Sequence, residues 1–161
     1  MMNRLFWGLF FVILDIPVTV GRASFEILPD FVGFFLLMKG MEELTATEAR
    51  FDKGRHLSFG LFLVGAVCYG AGLLNLEPMT KVVFWALEFA CLAAFLWLLK
   101  VIAAGKSEQV KSLWMIVAVV EVLAALLGWV PLVGSICRTA ALVTGVVFLL
   151  AYWKEIRESA E

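Results

Sequence analysis

The chain has a single histidine, His56, and that scarcity removes several chemistries at once. A bis-histidine haem cannot be assembled within one chain, nor can a histidine-rich zinc site. Serine is sparse as well: Ser24, Ser58, Ser107, Ser112, Ser135 and Ser159, none expected opposite His56 at a matching depth. An intramembrane Ser–His hydrolase is therefore not expected. No P-loop, GxGxxG or GxSxG run occurs, so phosphate cradles, dinucleotide folds and nucleophile elbows are left out. The three cysteines, Cys68, Cys91 and Cys137, fall in apolar stretches without a CxxC pair and read as small buried hydrophobes. Charge is scarce too, at 17% of residues with a net of −1. The expectation is a chain without cofactor, metal, catalytic residues or nucleic-acid partner.

What is present is apolar: 63% of the 161 residues are hydrophobic, well above the share of a soluble domain. Six apolar stretches stand out, at 5–21, 29–44, 57–75, 82–104, 113–132 and 135–153. Most approach the ~20 residues that carry a helix across ~30 Å of hydrocarbon. The expected fold class is all-α: one polytopic membrane domain over 1–161, a six-transmembrane-helix bundle made of three helical hairpins. The first stretch, Arg4 followed by Leu5–Leu14, has the outline of a signal peptide. Asp15 and Pro17 interrupt it and no small-residue cleavage site follows, so a retained first helix is expected.

Lys and Arg set the orientation. With alternate loops on opposite sides, ten basic residues share one side: Arg4, Lys39, Arg50, Lys53, Arg55, Lys100, Lys106, Lys111, Lys154 and Arg157. Only Arg22, Lys81 and Arg138 fall toward the other. The positive-inside rule then puts both termini and the loops near 45–56 and 105–112 in the cytoplasm, with the chain in the plasma membrane. Trp7, Trp114 and Trp153 mark the inner interface, and Trp85 and Trp129 the outer one. Asp15, Glu26, Asp30, Glu77, Glu88 and Glu121 leave the outer half net acidic, which favours cations over anions.

Asp15, Glu88, Glu121 and Arg138 lie inside the apolar stretches themselves. An ionisable group at that depth costs several kcal/mol unless it is paired or hydrated, so each is a candidate site residue. With Arg22 and Asp30 they form the candidate ligand-binding or ion-pair set. Arg138 is expected to pair with Glu121 or Asp15, because a guanidinium cannot shed its proton. Small residues accompany these charges. Gly8, Phe11, Asp15, Thr19 and Arg22 share one face of the first span, and Asp30, Gly33, Leu37 and Gly40 one face of the second. Ala118, Glu121, Ala125 and Gly128 do so in the fifth, and Arg138, Ala141, Gly145 and Phe148 in the sixth. Such faces are expected to meet each other. Gly60, Gly65, Gly70 and Gly72 promise tight packing for the third span. Pro29, Pro78 and Pro131 mark the three outer turns, a proline being tolerated in a helix's first turn.

Two functions follow. One is a binding or permeation module for a small cationic solute, using an outward-facing acidic cavity and working as a homo-oligomer or with a partner membrane subunit. The other is a non-catalytic structural or assembly subunit whose charges only fix helix packing.

The run ILPDFVGFFLLMKGMEEL over 27–44 resembles an ILPDFxG-type second-helix motif of small multi-spanning proteins from Gram-positive bacteria. The resemblance implies a bacterial plasma membrane and carries no function. The six-span, both-ends-inside layout is also similar to the substrate-binding subunits of energy-coupling-factor transporters and to rod-shape accessory proteins. That similarity is one of architecture alone.

Overall fold

The computed structural model describes residues 2–14, 17–20, 23–26, 30–73, 81–128 and 130–158. Six helices carry these residues: α1 Met2–Ile13, α2 Asp30–Thr45, α3 Arg50–Leu73, α4 Lys81–Ala103, α5 Glu108–Leu127 and α6 Pro131–Glu158. Between α1 and α2 run two short strands, β1 Pro17–Val20 and β2 Ala23–Glu26. They pair antiparallel with Pro17 opposite Glu26 and Val20 opposite Ala23. The helical class is as expected, and the hairpin is a correction to it. A first helix reaching residue 21 is not formed, because α1 stops at Ile13. Pro17 removes a backbone donor from any continuing helix, and Val18, Thr19 and Val20 prefer extended backbone.

The chain divides into two compact units, Met1–Ala94 and Phe95–Glu161. In the first, α1 packs antiparallel on α2, α2 on α3, and β2 against α3. Glycine permits the α1–α2 approach. A Cβ on Gly8 would stand 2.9 Å from the Gly33 carbonyl oxygen, and one on Gly33 would stand 2.8 Å from that of Gly8. Leu5 fills the space that a side chain at Gly40 would need. Of the small faces read from the first two spans, Gly8 and Phe11 meet Gly33, while Thr19 lies on β1 and Asp15 and Arg22 lie outside the described residues. At the far end of the pair Arg4 reaches Glu43 at 2.5 Å. On α3 Gly65 is in close contact with Phe31, while Gly60 and Gly70 face open space. The dense packing expected there is absent at those two positions.

In the second unit, α5 and α6 form a long antiparallel hairpin. Pro131 opens α6, in the first-turn position that proline tolerates. The turn falls at Gly128–Val130 and not beyond residue 132, since hydropathy marks where a chain is apolar and not where a helix ends. At the turn, a Cβ on Gly134 would meet the Gly128 carbonyl oxygen at 2.8 Å. At the other end, Glu155 accepts from the Ser107 amide at 3.1 Å and from its hydroxyl at 2.6 Å. Ser107 in turn caps α5, its oxygen accepting from the Val110 amide. Ser107 to Gly128 and Gly134 to Glu155 are both 21 positions, so the helices run in register without slippage. At ~1.5 Å per residue that distance is about 31 Å, the thickness of a hydrocarbon core.

The outside of this hairpin is apolar. Met115, Val119 and Leu126 on α5 and Leu132, Ile136 and Leu150 on α6 are each more than half exposed. Both helices are long and apolar enough to cross a membrane, and their apolar windows are only 17% and 28% buried. Core helices of soluble folds are mostly buried, so these two differ from them.

Candidate functional site

Glu121 sits on the stripe of α5 that faces α6. Val110, Val117 and Ala124 are buried along that stripe, and Glu121 lies between the last two at helical spacing, half-buried. The register of the hairpin sets Glu121 level with Ala141 and Val117 level with Gly145, both buried on α6. Small residues opposite leave room at the seam for a carboxylate. The side chain is held midway along a hairpin whose exterior is apolar.

Arg138 is the residue whose placement differs most from expectation. It is exposed on α6, level with Ala124, and its guanidinium is directed toward the turn: a Cβ on Gly128 would lie 3.7 Å from Nη2. That direction leads away from Glu121, which stands a turn deeper. Among the described residues Arg138 forms no ion pair. The partnership with Glu121 is not made, because a long flexible stem lets the cation reach the end of α5 instead. There it meets the negative end of the helix dipole.

Asp30 opens α2, half-buried, where its charge faces the positive end of that helix. Next to it Phe31 contacts Tyr69 and Phe62 of α3, with ring centroids 5.4 and 6.2 Å apart. Phe35 adds a further contact to Phe62 at 5.7 Å. At these separations the rings pack on one another and form an aromatic wall beside the acid. Of the other candidates, Asp15 and Arg22 lie outside the described residues. Glu88 is carried by α4, but its side chain lies outside them. The outward-facing acidic cavity expected of the candidate set thus falls in part outside the described residues.

Two features were missed. The Glu155–Ser107 lock joins residues 48 apart, and only its local half was legible, as a serine just before an apolar helix. Beside it Lys106 lies over the Tyr152 ring at 5.5 Å. The aromatic wall had a signal too, since Phe59, Phe62 and Tyr69 repeat at three and seven positions along one face of α3. His56 is exposed on α3, 3.8 Å from Asp52. The chain matches no family model, no curated protein and no solved structure.

Proposed function

We propose that this chain is an integral membrane module that binds or passes a small cationic solute, with six spans and both termini cytoplasmic. The observation that carries this reading is Glu121, half-buried at the seam of an α5–α6 hairpin whose length matches the hydrocarbon core. Within the first unit, and separately, Asp30 is a half-buried carboxylate next to Phe31, whose ring packs on Tyr69 and Phe62. The module works as a homo-oligomer or with a partner membrane subunit.

The test is uptake of radiolabelled methylammonium or rubidium into vesicles holding the purified chain. Glu121→Gln is expected to bring uptake down to that of protein-free vesicles while the melting temperature holds. Uptake unchanged by that substitution would refute the reading.

A structural or assembly subunit is the second reading, and the hairpin gives it a specific observation. Glu155 is spent on holding Ser107, and Arg138 on the end of α5, so two of its charges act in packing. On that reading Glu121→Gln lowers stability, and no uptake is seen even in the unaltered chain.

A further inference from the structure

Between α5 and α6, near the Ser107–Glu155 lock, a groove of about 490 Å³ opens on the outside of the hairpin. Leu113, Ile116, Val147 and Leu150 give it apolar walls, and Gln109, Ser112 and Lys154 are its polar groups. All three polar residues lie at the lock end, and Ile116 lies deepest along α5. At ~1.5 Å per residue the groove turns from polar to apolar within about 8 Å of Ser107 and reaches about 14 Å inward. The Lys154 side chain is 76% exposed, and the acid nearest it, Glu158 on the same helix, is 3.7 Å away. Other charges at this end are engaged more closely: Lys111 with Glu108 at 2.7 Å, and Glu155 with Ser107.

We propose that this groove seats one acyl chain of an anionic phospholipid from the inner leaflet, with the phosphate held by Lys154, Ser112 and Gln109. The order of groups decides the occupant. A cation and two hydrogen-bond donors stand at the mouth, and only hydrocarbon lies further in, which is the polarity of an amphiphile with an anionic head. A second protein helix laid over the same groove would bury the Lys154 ammonium and strip its water. A lipid leaves that ammonium at headgroup level, with its stem lying along the groove. The inference rests on the membrane-spanning reading above.

Native mass spectrometry of the full chain in mild detergent, offered phosphatidylglycerol and phosphatidylcholine in equal amounts, tests it. One phosphatidylglycerol is expected to be retained with a preference of about fivefold, the contribution of one lysine at an anionic surface. Lys154→Gln should erase that preference, whereas Lys53→Gln on α3 should keep it. Val147→Trp, at an exposed position that fills the groove, should lose the retained lipid without lowering the melting temperature. Equal loss of preference in both lysine variants would overturn the proposal, as would a dimer that splits in Val147→Trp with no lipid lost. Vesicle flotation separates the two readings. A chain that floats with vesicles but shows no preference overturns the lipid site alone, and one that floats with none removes the membrane reading along with it.

Discussion

A glycine in a helix is a permission for close approach, and only the partner helix decides whether it is used. Gly33 is used: its missing side chain lets Val12 and the Gly8 carbonyl come within 3 Å of where a Cβ would be. Gly60 is not, with open space around it. Gly33→Ala is therefore expected to push α1 from α2 and lower stability by about 1–3 kcal/mol, the usual range for overpacking. Gly60→Ala should leave stability unchanged or raise it by up to about 1 kcal/mol, as alanine favours helix. Thermal melting in detergent checks both, and a loss at Gly60 equal to that at Gly33 would show that the contacts do not decide. The α1–α2 contact was legible at Gly8, Gly33 and Gly40, small residues on faces read at helical spacing, although Thr19, read on the same face as Gly8, lies on β1. The faces of α3 were not, since spacing alone cannot say which face another helix covers. Arg138 shows the same limit at a charged residue. Its need for a partner was legible, but a long side chain chooses among several, and the sequence did not rank the end of α5.

At the scale of elements, the α5–α6 hairpin is held at two points, glycine to glycine at the turn and carboxylate to serine at the other end. Ser107→Ala removes both the cap on Val110 and the hydroxyl donated to Glu155, and should cost about 1 kcal/mol. Glu155→Ala should cost about as much, since it leaves the Ser107 amide without its acceptor. The two changes share one interaction, so the double variant should lose clearly less than the sum of the singles. Additive losses in denaturant titrations would show that the lock is not a unit. The helices were legible as types and misplaced at their ends. The fifth stretch was expected over 113–132, whereas α5 runs Glu108–Leu127. Polar first turns such as Glu108–Ser112 are part of the helix, and hydropathy omits them because their side chains are polar. The β1–β2 hairpin was hidden for a related reason. Val18, Thr19 and Val20 extend an apolar count as well as any helix former would, although their branching favours a strand.

For the whole molecule, the reading rests on α5 and α6 lying in a bilayer with the ten-residue basic side facing the cytoplasm. The apolar exterior of that hairpin and its length of about 31 Å agree with this, since lipid is the solvent that tolerates such a surface. The solute reading depends on it too, because Glu121 is unusual only if hydrocarbon surrounds the hairpin. Cysteine accessibility in intact cells tests it most directly. With Cys68, Cys91 and Cys137 replaced by serine or alanine, single cysteines are placed at Lys53, Gln109 and Leu132. An impermeant maleimide is expected to label Leu132→Cys in intact cells, and to label Lys53→Cys and Gln109→Cys only after the membrane is opened. Labelling of Lys53→Cys or Gln109→Cys from outside, or recovery of the chain without membranes, would contradict the account.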